Sequence, residues 1–239
     1  MGDYAYSTSG YRRVVVLATD HAGGREHASG LMKRFRELSG EIVGELYAPL
    51  DTVDFAPYFQ QLAGYSADAV WAWFAGADAS RFVTQWEDFG FEGQIPLIGS
   101  GWVTDEPVLP EMGEAAEGIV TSFHSSPFVQ TVEIQNFVSA YRQQYDAWPG
   151  VTAYNGCIFA RVLEEALSRL SGDSSRDAFL EALRAIDFQG ATGRYRMDPE
   201  TQGPILTVFI RRVERVQNEF GNRVIASFPD VPDRVAQPS

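Results

Sequence analysis

Three short apolar runs stand out along the chain: VVVLATD at 14–20, AVWAWFAGAD at 69–78 and IPLIGSGW at 95–102. Each is rich in β-branched or aromatic residues and runs out into a glycine-bearing turn ahead of helix-like sequence. They read as buried parallel strands whose carboxyl ends open into loops. In doubly wound α/β sheets ligands bind at those ends, where small residues let a ligand approach the backbone and helix N-termini offer free N–H groups. A small-molecule site at one rim of the sheet is the expectation.

Between the runs the period switches from two to about 3.6. Ala28, Leu31, Met32, Phe35 and Leu38 recur three and four apart and stop at Ser39 and Gly40, as in an amphipathic helix with a glycine stop. Residues 41–47 alternate as a second strand, Asp54 is placed to cap a helix running to about Gly64, a helix spans 79–89, and a strand covers 95–99. Strands alternating with helices argue for parallel βαβ crossovers.

Beyond Gly118 the rhythm changes. Residues 118–123 read as a further strand, 130–145 as a helix with a polar face, and Trp148, Pro149 and Gly150 as a break before a long helix at 153–170. A further helix at 174–186 is capped in the region of Asp173 and Ser174. GRYRMDPETQGP at 193–204 supplies turn chemistry between strand-like runs at 194–197 and 205–213, and 223–228 is a last strand before a polar tail. The predicted class is α/β, a mainly parallel sheet flanked by helices, with extra C-terminal helices and a β-hairpin. The expected divisions are an α/β lobe at 11–123, a helical segment at 124–190, C-terminal strands at 191–228 and a tail at 229–239.

A hydrophobic content of 45% in 239 residues is enough for a real core. The formal net charge of −13, with no compensating run of Lys or Arg, repels a phosphate backbone, so no nucleic-acid partner is expected. No stretch reaches the roughly 18 apolar residues of a membrane span, so no direct membrane insertion is expected, and the first residues lack the apolar core of an export signal. Cys157 is single, which excludes an intrachain disulfide.

Catalytic patterns are missing their key positions. After Gly99, Ser100 and Gly101, Thr104 occupies the third glycine position of a dinucleotide fingerprint. Ser100 lacks a nucleophile elbow, because Ile98 and Trp102 stand where G-x-S-x-G needs glycines. His21, His27 and His124 share no metal-ligand spacing, so no metal and no cofactor are expected. Trp71 and Trp73 project from one face of their strand, where packing against a covering helix accounts for them.

The strings YRRVVVLATDHAGGREHASGLMKRF, DFAPYFQQL, DAVWAWFAGADASRFVTQWEDFGF, IPLIGSGWVTDEPVLPEMGEAAEGIVT, FVSAYRQQY and GATGRYRMDPETQGP, in this order and spacing, resemble the later part of type I periplasmic substrate-binding proteins of ABC transporters, the leucine/isoleucine/valine-binding group. The resemblance covers roughly residues 11–228. It implies non-catalytic recognition of an amino acid, amide or aromatic carboxylate by the substrate-binding component of an ABC importer, with an ABC permease as partner and a periplasmic or extracellular location. An intracellular ligand-responsive regulator with the same fold is the alternative, and the absence of an export signal in the chain as written fits a cytoplasmic place.

Carried over from the family, the candidate ligand contacts lie in three loops. The first holds Ala22 and Gly23, where relatives often present a bulky group. The second holds Gly76, Ala77 and Asp78, the last of which is equally placed as an N-cap. The third holds Ser100, suited to a polar head group, with Gly101 and Trp102, suited to closing over an apolar tail. The resemblance also implies that a first lobe precedes the position where this chain starts, and that the helices at 153–186 cross back to pack on it. Val162, Leu163, Ala166, Leu167, Leu170, Phe179, Leu180 and Leu183 would then leave an apolar surface unless they repack or pair with another chain, and self-association through these helices is expected.

Overall fold

The computed structural model describes residues 1–170, 172–216 and 218–233. The chain divides into two compact units, one of Met1–Phe123 with Ile210–Arg223 and one of His124–Phe209 with Val224–Ser239.

The first unit is built on strands β1 (Arg13–Thr19), β2 (Glu41–Ala48), β3 (Ala69–Trp73), β4 (Leu97–Ser100) and β5 (Val120–Phe123), with helices α1 (Ala22–Glu37), α2 (Ala56–Leu62), α3 (Ala77–Asp88) and the single turn α4 (Leu109–Met112). The strands lie in the order β2-β1-β3-β4-β5, and each neighbouring pair is parallel. Strand β8 (Pro204–Val216) follows β5, to which it is joined by Gly118 N–H to the Val213 carbonyl at 2.9 Å and Val213 N–H to the Ile119 carbonyl at 3.0 Å. Strand β9 (Glu219–Pro232) pairs with β8.

Strand alternation sorts the core into two layers. Val14, Val16 and Ala18 of β1 and Ala69, Trp71 and Trp73 of β3 meet Ala28, Leu31, Met32 and Phe35 of α1. Val15, Leu17, Val70, Ala72 and Phe74 face the opposite way, against Phe59 and Leu62 of α2 and Ala79, Phe82, Val83 and Trp86 of α3. Ala28, Leu31, Met32 and Phe35 are four of the five apolar positions that the spacing singles out, the fifth, Leu38, being the half-buried C-cap, and the two tryptophans of β3 pack against that covering helix. Each fully buried large side chain contributes about 1.5–3 kcal/mol. Phe74, stacked on Phe82 at 4.6 Å, adds directional aromatic contact.

The second unit holds α5 (Val132–Tyr145), α6 (Val151–Ser168), α7 (Arg176–Arg184), β6 (Asp187–Gly190) and β7 (Gly193–Met197), with parts of β8 and β9. Strands β6, β7 and β8 form an antiparallel ladder. Strand β6 lies where the sequence pattern predicts no strand, directly after the helix expected to end at Ile186. Strand β9 also continues to Pro232, four residues into the segment read as a tail.

The apolar surface expected on the helices is mostly covered from within this unit. Val162, Leu170, Phe179 and Leu183 pack around Ile158, Ala166, Ala182, Ile186, Phe188 and Tyr195. The exposed remainder is a row on α6, Phe159, Leu163 and Leu167, at 67%, 50% and 52% exposure. No helix among the described residues is long and apolar enough to cross a membrane.

Candidate functional site

The chain leaves β1 for β2 on one side and then returns to place β3 on the other, so β1 and β3 flank a topological switch point. At such a point the connecting loops diverge and a crevice opens at the carboxyl ends of the strands. Ala18 lies opposite Trp73, and Ala72 opposite Gly99, so the loops after β1, β3 and β4 emerge side by side. Every ligand-contact candidate read from the sequence lies in these loops or at the element ends that border them, Ala22 and Gly23 in the first turn of α1, Ala77 and Asp78 in that of α3, and Ser100 at the end of β4.

In the first loop His21 caps α1. Its Nδ1 accepts from Gly23 N–H at 2.9 Å and, more loosely, from Gly24 N–H at 3.4 Å, which leaves the other ring nitrogen to carry the proton in the neutral imidazole. The ring stands edge-on to Trp73, with centroids 4.8 Å apart. One turn on, His27 Nδ1 lies 2.9 Å from the Gly23 carbonyl, and its ring is 5.5 Å from Trp73. A Cβ on Gly23 would approach the His21 ring to 2.8 Å and Trp73 to 3.6 Å. Gly23 thus makes room for aromatic packing, while Ala22 is exposed. The two histidines and Trp73 are rim residues that sequence reasoning set aside; the available signal was their position within a few residues of a strand's carboxyl end.

In the second loop Gly76 has φ 56° and ψ −135°, a region open to glycine and costly for other residues, and Gly76 and Ala77 are exposed. No side chain among the described residues caps α3. Asp78 is not the cap that its position suggested: the cap is Gly76, and Asp78 lies inside the helix. Its buried carboxylate accepts from Asp51 N–H at 3.1 Å and pairs with Arg81. Arg81 and Gln85 on the same face of α3 hold the carbonyls of Thr52 and Val53, so Asp78 belongs to a set of side chains that anchors the loop between β2 and α2.

In the third loop Ser100 and Gly101 are buried and Trp102 is half-buried. The Trp102 ring lies 6.3 Å from Trp73 and 5.8 Å, edge-on, from Phe123. Trp73, Trp102 and Phe123 therefore form a continuous aromatic wall across the ends of β3, β4 and β5.

Behind this wall is a buried polar network. Arg211 of β8, fully buried, donates to the Gly101 carbonyl at 3.1 Å and Thr121 Oγ1 at 3.3 Å, pairs with Glu106 at 3.5 Å and lies 5.2 Å from the Phe123 ring centroid. Asn222 of β9 donates to the Thr104 carbonyl and, at 2.9 Å, to Glu106 Oε1, and accepts from Thr104 Oγ1 at 2.8 Å. Burial pushes the Glu106 carboxyl up to about 7 against the opposing pull of the Arg211 guanidinium. Arg211, Glu106 and Asn222 escaped sequence reasoning because they are 105 and 116 positions apart.

In parallel α/β lobes of this kind small molecules bind beside the switch point, at the carboxyl ends of the strands. The chain matches the family model described as periplasmic binding protein over residues 1–219 and belongs to that family. Members are the substrate-binding components of ABC transporters. The chain is 42% identical to an ABC transporter substrate-binding protein from Sphaerobacter thermophilus, with a TM-score of 0.91, covering 96% of this chain and 63% of that one. It is 31% identical, TM-score 0.89, to a solute binding protein of an ABC transporter from Rhodopseudomonas palustris BisB5 solved with 3,4-dihydroxy benzoic acid, covering 98% and 64%. Among curated proteins it is 26% identical to Leu/Ile/Val-binding protein homolog 6 of Brucella abortus (strain 2308), covering 92% of this chain. The chain spans 57% of the length of that relative.

Proposed function

We propose that this chain is the solute-recognising part of an ABC importer's substrate-binding component, and that its solute is an aromatic carboxylate of the benzoate type. Residues 11–123 form the ligand-binding lobe in this reading. The observation that carries it is the contact of Trp73, Trp102 and Phe123 at the carboxyl ends of β3, β4 and β5, in which the half-buried Trp102 ring, backed by the buried Trp73 and Phe123, is the surface assigned to an aromatic solute. The relatives from R. palustris BisB5 and HaA2, solved with 3,4-dihydroxy benzoic acid and p-hydroxybenzoic acid, support the same class.

The carboxylate is assigned to the start of α3, where Gly76 and Ala77 are exposed and no described side chain occupies the cap. Asp78 does not oppose it as a free charge, because its carboxylate is paired with Arg81. The α1 start suits an anion less, since His21 already takes up its first N–H groups. Recognition would come from enclosure and hydrogen bonding without chemistry at the solute, and the bound form would be presented to an ABC permease.

Calorimetric titration of the purified chain with benzoate, 4-hydroxybenzoate, 3,4-dihydroxybenzoate, leucine and isoleucine tests the reading. Saturable binding of the benzoates in preference to the amino acids supports it. A preference for leucine or isoleucine overturns the solute class, and no heat with any of them, from a chain shown to be folded, overturns the assignment of a usable site to this lobe.

A further inference from the structure

We propose that Arg211, Glu106 and Asn222 act as a buried clamp that fixes the orientation of Trp102, making Arg211 a positioning residue for the aromatic wall. The proposal rests on the reading of that wall as the solute contact, but its structural half is testable without any solute.

The backbone on either side of Trp102 is held from distant strands. The Gly101 carbonyl is held by Arg211 from β8, and the Thr104 carbonyl by Asn222 from β9. Glu106 accepts from both side chains, so the two holds share one anchor. Thr104 Oγ1 is a further node, 3.1 Å from Thr121 Oγ1 and 2.8 Å from Asn222 Oδ1. The short segment carrying Trp102 is therefore tied at both ends to side chains from distant strands.

Gly101 shows how close the fit is. A Cβ there would lie 2.4 Å from Phe123 and 2.7 Å from Arg211 Nη2, so the peptide rests directly on the guanidinium and on the ring that Trp102 meets edge-on. Arg211 touches the wall twice, through the Gly101 carbonyl and over the Phe123 ring. A guanidinium can reach a carbonyl, a hydroxyl and a carboxylate at once because its donors are set in a rigid planar fork, which an ammonium lacks.

A buried ion pair is a poor device for stability alone, since an apolar pair of similar volume often holds a fold as well or better. What such a pair would lose here is direction: Met and Leu fill the space but donate to neither Gly101 nor Thr121. Stability and positioning can therefore be separated by experiment.

The variants are E106L/R211M, which removes both charges together, and R211K, which keeps the charge but loses the fork. The primary readout is the near-ultraviolet circular dichroism of Trp102, obtained by subtracting the spectrum of the W102F counterpart in each background, with urea unfolding on the same samples. The expected result is a midpoint for E106L/R211M close to that of the unmodified protein, together with loss of most of the Trp102 band in both variants. For 4-hydroxybenzoate the dissociation constant should rise about tenfold.

Retention of the full Trp102 band in a folded E106L/R211M protein overturns the proposal, and the network is then packing only. If that variant does not fold, the R211K band decides in the same way. If the unmodified protein shows no affinity for 4-hydroxybenzoate, the solute reading fails while the Trp102 band still decides whether the clamp exists.

Discussion

The guanidinium of Arg211 donates to the carbonyl oxygen of Gly101 at 3.1 Å, joining residues 110 positions apart. The bond sits in a fully buried setting beside Glu106, and it makes Arg211 sensitive to both truncation and pH. The R211M variant strands a buried carboxylate and should lose about 3–5 kcal/mol at pH 8, measured by urea unfolding.

The pH dependence of that loss has a definite sign. Burial holds the Glu106 carboxyl at about 7 in the folded protein, against an ordinary value of 4.5, so the fold keeps a proton that the unfolded chain has released. Its contribution to stability falls as pH rises from about 4.5 to about 7 and is level above that. Removing Arg211 removes the downward pull and extends the window upward. The deficit of R211M should therefore shrink at pH 6 and grow at pH 8. A deficit independent of pH across that range would show that Glu106 does not titrate there.

Two glycines of α1 should respond in opposite directions. A Cβ on Gly24 would lie 2.1 Å from the Thr19 carbonyl, where the helix start meets the strand end, so Gly24→Ala should cost about 1–3 kcal/mol. Gly30 has nothing within 4 Å of the same atom, and Gly30→Ala should stabilise the helix by about 0.5–1 kcal/mol. Thermal unfolding of the two variants side by side checks the contrast.

Asp78→Ala should cost about 1–3 kcal/mol by leaving Arg81 and Asp51 N–H without their acceptor. Hydrogen exchange should quicken in the loop between β2 and α2. Weaker binding of 4-hydroxybenzoate with unchanged exchange in that loop would instead assign Asp78 to the solute.

The exposed row of Phe159, Leu163 and Leu167 on α6 recurs every four residues, as a helix docking face does. Self-association of the purified chain through this row is the expected outcome, seen by sedimentation as a mass that rises with concentration and reverts to the monomer in L163E/L167E. A wild-type protein that stays monomeric at all accessible concentrations excludes it.

The parts of the molecule legible along the chain are those set by near neighbours. The runs at 69–78 and 95–102 contain β3 and β4, and the run at 14–20 covers all of β1 but Arg13, because a strand buried on both faces must be apolar at nearly every position. Ala28, Leu31, Met32 and Phe35 mark the inner face of α1, because helical spacing brings them onto one stripe. The parallel class and the rim that holds the candidate loops followed from the same local rules. Strand β6 did not, since the four residues DFQG alternate too briefly to stand out beside a helix.

Only the tertiary structure decided what those local patterns meant for the site. It turned Asp78 from a cap into an anchor for a loop 27 positions away, and it brought Trp73, Trp102 and Phe123 into one wall. It also drew Arg211 and Asn222 from β8 and β9 onto the backbone flanking Trp102. Periodicity reports which side of an element is buried, but it carries no information on which distant side chain will be buried against it. Hydrogen bonds spanning 90 to 118 positions are settled only when the strands are placed, so the rim could be read from the sequence while the residues that hold its shape could not.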